Sequence, residues 1–413
     1  MLTLLSEPAQ IVTVNTESRN CKRGTSASDL AVLENHSIVV EDDIIRDFIP
    51  NSQIVRSGYD SVISVKDKTV LPGLIDCHTH TAYAGSRADE FRLKISGVSY
   101  EEIARSGGGI NRTVSAVREK SEAELISIIS PRIEHFISQG VTSLEIKSGY
   151  GLSPDDEIKL LRVISRLKSL FAIDIIPTFL GAHTYPREFA DNHTGYIELI
   201  TKKMLPYIAD SGLAAFCDVF CELTAFSASE TEVIFDCAKD LGMKLKLHTE
   251  QFNNLGGLDT ALKYSVTSAD HLEVIREDDI SRISKTDTVC VLLPGVSFFC
   301  HTPYAPARRL ISSNAIVALS TDYNPGSSHI SSPALIMSLA AVEMRMTIEE
   351  AISAFTINAA RAVDLHEKTG SLEIGKKADM AVFATTEYAD IVYDIGRNLN
   401  IMTIKNGAVI YKA

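Results

Sequence analysis

The sequence predicts a (β/α)8 TIM-like barrel with a small composite β-sandwich domain formed by both chain ends, and three observations predict it. Between residues 69 and 365 eight short apolar runs alternate with amphipathic helical segments, and about 250 residues is the usual size of such a barrel. Both ends of the 413-residue chain read instead as short strands and turns. Of eleven histidines, His78, His80, His183, His248 and His271 stand at or just beyond the end of a predicted strand, which is where a barrel carries its chemistry.

Taken in order, residues 1–68 contain apolar stretches at 10–14, 37–40, 44–48 and 61–65, separated by polar segments such as 15–28. The eight barrel strands are expected at 71–76, 141–147, 172–179, 214–221, 244–248, 266–271, 288–293 and 316–320. Over 121–139, Leu125, Ile129, Ile133, Phe136 and Ile137 share one helical face, and Pro131 is expected to kink or split that helix. Ser153 is placed to cap the next helix, with Pro154 at its first position, acidic residues in the first turn and a stripe of Ile158, Leu161 and Ile164. Residues 83–113, with the Gly107-Gly108-Gly109 run, are long for a βα connection and read as a functional loop. A last helix is expected over 347–365. GSLEIGKKADMAVF and IMTIKNGAVIYK then supply the closing strands. The domains expected are 1–68 plus 366–413 as the composite β domain, and 69–365 as the barrel.

Composition is that of a globular protein: 45% hydrophobic, 23% charged, 23 Gly and 13 Pro. Forty basic against 53 acidic residues give a net charge of −13, which argues against nucleic acid or an anionic membrane as partner, because both need a basic surface. No uninterrupted run of about 18 apolar residues occurs, and MLTLLSEPAQ lacks the pattern of a signal peptide, so a cytoplasmic protein is expected. Seven scattered cysteines without a C-x-x-C pair suggest neither a disulfide framework nor a cysteine zinc site.

His78 and His80 form an H-x-H pair after LPGLID, and alternation along a strand points both imidazoles to one side. Alone the pair is a weak metal signal. His248 in KLKLHTEQ, His271 in SVTSADHLE and Asp322 in IVALSTDYNPGS strengthen it, since three His and a carboxylate with one open position suit Zn²⁺ or Fe²⁺. Arg87, just past the pair, matches a substrate carboxylate, because guanidinium and carboxylate pair bidentately; the competing reading is an ion pair with Asp89 or Glu90. His36, His135, His193 and His366 read as surface or packing residues.

LPGLIDCHTH and the closing GSLEIGKKADMAVF resemble the amidohydrolase superfamily. HTHTAYAGSRADEF, SYEEIARSGGGI, EIKSGYGL, FLGAHTYP, HTEQ, SADHLE and LSTDYNPGS, in that order, resemble its imidazolonepropionase family over residues 70–330. The resemblance implies a metal-bearing barrel that hydrolyses the cyclic C–N bond of 4-imidazolone-5-propanoate to N-formimino-L-glutamate in histidine degradation. It implies one divalent metal, Zn or Fe, on His78, His80, His248 and Asp322, and substrate contacts from Arg87, Tyr100, Tyr150, His183, Gln251, Asn324, Gly326 and Ser327. Asp322, His271 and Gln251 are its implied catalytic residues, with the general base left open between Asp322 and His271. A small anionic substrate, no nucleic acid or membrane partner, and a homodimer complete the expectation.

For Tyr100 and Tyr150 ordinary packing is the alternative, and for His271 a supporting role. Lys147 sits at a strand end, where two-metal relatives carry a bridging carboxylated lysine, but EIKSGYGL matches the single-metal pattern. Thr249-Glu250 in place of Ala-Asp, and Ser327 in place of Thr, depart from the family and bear on substrate affinity. Two other readings stay open: a single-metal deaminase acting on a nucleobase or formimino compound, and a scaffold that lost its chemistry.

Overall fold

A computed structural model describes residues 1–97 and 108–413. Eight parallel strands form one sheet in strict sequence order: β1 (Leu74–Asp76), β2 (Val141–Lys147), β3 (Asp174–Ala182), β4 (Phe216–Cys221), β5 (Lys244–Thr249), β6 (Ser268–His271), β7 (Val289–Leu292) and β8 (Ile316–Leu319). The first and last strands meet just past their ends. Asp322 N–H donates to the His78 carbonyl (3.1 Å), His80 N–H to the Tyr323 carbonyl (3.0 Å), and Thr79 bridges Tyr323 in parallel. Asp76 ties the same seam by accepting from the Ser320 and Thr321 hydroxyls and from Thr321 N–H.

Parallel strands are covered on both faces and therefore read as near-continuous apolar runs. Their outward residues, such as Leu144, Ile146, Val219 and Leu247, pack under the surrounding helices. Their inward residues form layers. The floor of the lumen is apolar, built by Ile75, Ile176, Phe216, Val289 and Ile316. Two residues further along the strands it turns polar, with Lys147, Asp218, Lys246 and Asp270 all fully buried.

The chain ends build two further sheets. A six-stranded sheet joins N-terminal strands (Gln10–Val12, Val32–Leu33, Thr69–Pro72) to C-terminal ones (Met380–Phe383, Asn400–Lys405, Ala408–Lys412), with Thr69–Pro72 pairing antiparallel to Met380–Phe383. A four-stranded sheet is wholly N-terminal and includes Leu2–Ser6, a strand the sequence pattern did not suggest. Leu5, Ile38 and Val40 of the smaller sheet share a core with Val70, Met380 and Ile404 of the larger. The fold class expected from the sequence is the one observed.

Of the two outcomes expected at Pro131, a kink or a split, the split does not occur: Glu122–Ser138 is one helix with Pro131 inside it; Ser121 caps it and shares a capping box with Glu124. Two local readings need correction. The expected last helix is two, Ile348–Phe355 and Ile357–Ala362, broken at Thr356 (φ −122°, ψ −99°). The long segment after Tyr83 holds the helix Ala88–Ile95. Ser153 caps Pro154–Leu170 as expected, its hydroxyl accepting from Asp156 N–H.

Candidate active site

The strand ends bring the four expected ligands together. His80 Nε2 lies 3.3 Å from Asp322 Oδ1 and 3.4 Å from His248 Nε2, and His78 Nε2 lies 3.6 Å from Asp322 Oδ1. His78, His80 and Asp322 form one buried trio able to hold a metal, and His78, His248 and His271 another. Burial keeps the His78, His80 and His248 imidazoles neutral by lowering their pKa values, so each retains a lone pair. His78 Nε2 and Asp322 Oδ1 are buried without a hydrogen-bond partner. Such orphaned atoms are costly, and burial pushes the Asp322 carboxyl up to about 7, against the opposing charge of His271. A cation between these atoms satisfies both and holds Asp322 ionised, so the donor set fits a divalent metal.

The His rings are aimed from behind. His78 Nδ1–H donates to Asp270 Oδ2 (2.6 Å) and His248 Nδ1–H to Asp218 Oδ1 (3.0 Å), leaving both Nε2 atoms toward the site. Lys147 sits beneath, with Nζ at 2.7 Å from Asp218, 2.9 Å from Glu145 and 3.9 Å from Asp270. Lys246 donates to Glu145 (2.9 Å) and to the Cys77 carbonyl (2.8 Å). Burial alone lowers a lysine pKa, but the carboxylates of Asp218, Glu145 and Asp270 outweigh it and hold Lys147 as an ammonium. A protonated lysine so enclosed is no nucleophile toward carbon dioxide, which leaves it a structural cation.

Alternation along a strand points the neighbours Asp270 and His271 to opposite sides, yet both face the site. His271 adopts φ +85°, which swings its ring inward, 5.8 Å and 5.5 Å in ring centroids from His78 and His248. Its Nδ1 lies 3.3 Å from Glu273 Oε1. Burial lowers the His271 pKa, but the Glu273 charge outweighs this and the net shift is upward.

The expected substrate residues divide. Tyr150 is buried 6.0 Å from the His80 ring and 5.4 Å from His183, and His183 stacks on His80 at 5.0 Å. His183 Nδ1–H donates to the Gly149 carbonyl (3.0 Å), and burial, then His248, lowers its pKa to about 3, so its Nε2 carries a lone pair. Gln251 is buried. Arg87 Nε donates to Glu90 Oε2 (2.8 Å), and Glu90 Oε1 accepts from Gly109 N–H. The ion pair weighed as an alternative for Arg87 therefore exists, through Nε to Glu90. A Cβ on Gly326 would lie 2.2 Å from Arg87 Nη1, so glycine here makes room for the cation. Asn324 Oδ1 accepts from Gly326 and Ser327 N–H, and Nδ2 donates to the Asp322 carbonyl and Ser327 Oγ; the two polar side chains shape that loop. Tyr100 lies outside the described residues.

Of the departures from the family pattern, Thr249 and Glu250 back the site from outside. Glu250 Oε1 accepts from Leu258 N–H, and Thr249 Oγ1 abuts Gly257. The sequence offers Asp270 only as a neighbour of His271 that could orient it or balance charge, and does not single out the carboxylates Asp218, Glu145 and Glu157 or Lys246. The signal was there: charges at alternate positions inside apolar strand runs, and an acid on the buried stripe of a helix.

The amidohydrolase family profile matches residues 214–410. An imidazolonepropionase of Flavobacterium johnsoniae is 40% identical over 411 residues, 99% of this chain and 100% of that one. Another, from Geobacillus thermodenitrificans, is 44% identical over 388 residues, 93% and 92% of the two chains. Among solved structures, an adenosine deaminase from Xanthomonas campestris with bound zinc superposes with a TM-score of 0.74 at 16% identity, covering 99% of this chain and 93% of that one. The atrazine chlorohydrolase of Arthrobacter aurescens, complexed with zinc, gives 0.72 at 14% identity over 99% and 95%. At those identities the structures speak for the fold.

Proposed function

With the chain a member of the imidazolonepropionase family, we propose that it is the hydrolase that opens the cyclic amide of 4-imidazolone-5-propanoate to N-formimino-L-glutamate in histidine degradation. The observation that carries this reading is the convergence of His78, His80, His248 and Asp322, with orphaned buried atoms at its centre, beside a guanidinium fixed by Glu90.

One divalent metal, zinc or iron, is assigned to those four residues; when bound, such an ion lowers the pKa of water toward neutrality and polarises a carbonyl. The chain does the rest. Arg87 takes the propanoate carboxylate, a charge-assisted pair on a protein of net charge −13. Tyr150, Gln251 and His183 Nε2 hold the ring, with His183 accepting from a ring N–H. Asp322 accepts the proton of the attacking water. His271, favoured as an imidazolium by the Glu273 carboxylate at Nδ1, donates Nε2–H to the oxyanion that develops on the ring carbonyl. Asn324, Gly326, Ser327 and Tyr100 complete the assigned substrate site.

The proposal includes a cytoplasmic homodimer; among the described residues no helix is long and apolar enough to cross a membrane. The test is loss of the ultraviolet absorbance of the imidazolone with purified, metal-loaded protein. Turnover should saturate at one equivalent of metal per chain. Absence of turnover, with ammonia released from a nucleobase instead, would overturn the assignment.

A further inference from the structure

Glu157 belongs to the helix Pro154–Leu170, where the apolar stripe calls for a hydrophobic residue, yet it is fully buried. Among the described residues its carboxylate forms no ion pair. Oε1 accepts from Gly151 N–H (2.7 Å), Leu152 N–H (2.9 Å) and Gly149 N–H (3.1 Å), and Oε2 also accepts from Gly149 N–H (3.1 Å). Successive backbone N–H groups that converge in this way form a concave anion site, and here the chain fills that site with its own side chain.

Arg118 holds the same loop by its carbonyls, Nε donating to Gly151 O (2.7 Å) and Nη2 to Leu152 O (3.1 Å), while Glu157 alone takes up its N–H groups. Gly149 takes φ +97° and Leu152 φ +50°, conformations an L residue avoids. A Cβ on Gly151 would lie 2.5 Å from the Asp156 carbonyl carbon and Glu157 N, so the loop is pressed against the helix start. Between these anchors stands Tyr150. The Gly149 carbonyl accepts from His183 Nδ1–H at 3.0 Å. That bond places the second ring nitrogen, Nε2, as an acceptor toward the site.

We propose that Glu157 is a positioning residue for the substrate ring: by clamping residues 149–152 it sets the Tyr150 side chain and, through the Gly149 carbonyl, the tautomer and ring plane of His183. Glu157 touches no substrate atom. The inference rests on the ring-binding role given above to Tyr150 and His183, and it deepens that role by naming what holds them.

The test is Glu157→Gln, which keeps the shape but replaces one acceptor oxygen with a donor facing Gly149 N–H. With the metal-loaded enzyme, KM for the imidazolone and the inhibition constant of imidazole-4-propanoate should rise about tenfold. Glutarate, which has the carboxylate arm and no ring, should inhibit as before, and metal content should be unchanged. In a His183→Ala background the same substitution should cost less ring affinity than in wild type, because the part that acts through His183 is already lost and only the part through Tyr150 remains. Equal weakening of both inhibitors, unchanged affinity for both, or full additivity with His183→Ala would overturn the proposal. Glu157→Asp, whose shorter arm cannot span all three N–H groups, takes the place of Glu157→Gln if that variant does not fold. Failure of both to fold makes Glu157 purely structural and also overturns it. Wild-type protein that does not turn over the imidazolone fails the functional reading instead, and imidazole-4-propanoate binding still separates the two.

Discussion

Lys246 and His248 stand two residues apart on β5 and point into the same lumen, yet their surroundings follow opposite rules. At the level of Lys246 and Lys147 the charges answer one another: Glu145 and Asp218 lie within 3.0 Å of an ammonium, the strands are regular, and burial is complete. At the level of His248 the rings are neutral, buried atoms of His78 and Asp322 lack partners, and His271, Leu272 and Asp322 take φ of +85°, +67° and +47°. Strain and unmet hydrogen bonds collect where function needs them. The lower layer meets its charges from within, Asp270 Oδ1 excepted. The upper one is built to receive a ligand.

That contrast can be broken most severely by His78→Ala. Loss of a ligand should cut kcat/KM by about 1000-fold or more and weaken metal binding, while the metal-free variant unfolds at nearly the wild-type temperature. Retained turnover would remove His78 from the site.

Lys147→Met should do the reverse in kind. It leaves Glu145, Asp218 and Asp270 buried with one ammonium fewer, a loss of about 3–5 kcal/mol, read as a lower guanidinium midpoint in the metal-free protein. A variant as stable as wild type would show that the lower layer is not held by charge.

Arg87→Ala tests the mouth of the upper layer. Losing a charge-assisted pair of about 2–3 kcal/mol should raise KM about 30- to 100-fold, with a smaller effect on kcat. Gly326→Ala should reproduce part of it, since the added Cβ falls on the guanidinium. An unchanged KM in both would sink the carboxylate assignment.

The smallest effect is expected far from the lumen, at the joint between the chain ends. Glu373 accepts from the Thr16 hydroxyl and backbone, the Ser371 hydroxyl and, at 3.5 Å, faces Lys376. Burial raises its pKa, but these partners outweigh burial and hold it below the ordinary glutamate range. A depressed carboxyl contributes stability above about pH 4.3, the ordinary value, and that contribution is lost as pH falls through the lower folded value. Glu373→Gln should therefore lower Tm by roughly a few degrees at pH 7 and by progressively less on acidification. A gap that is constant with pH would show that charge is not what Glu373 contributes.

How legible all this was depends on whether a residue announces itself locally. His78, His80, His183, His248, His271 and Asp322 could be found because each follows an apolar run, and parallel strands end in the catalytic face. Arg87 could be found as the cation nearest the H-x-H pair, but not its anchoring by Glu90, which also reaches Gly109. Asp218 and Asp270 lie inside runs that read as strand, and their roles depend on a register that sets Asp218 opposite Lys246 and Asp270 opposite His248. The inward turn of His271 contradicts alternation because its φ is positive. Glu157 was read as one of three acids at a helix start, its ordinary reason for being there, when its use is to fill a loop of backbone donors.

By itself, then, the sequence determined the barrel, the composite end domain and the kinds of groups at the strand ends, because period, length and residue type are local properties. Only the tertiary structure decided which groups are charged, which nitrogen of each histidine faces the site, and which carboxylates stand behind them. Those depend on burial and on neighbours brought from 30 to 244 residues away, and nothing in a stretch of chain encodes the dielectric or the partner it will meet on folding.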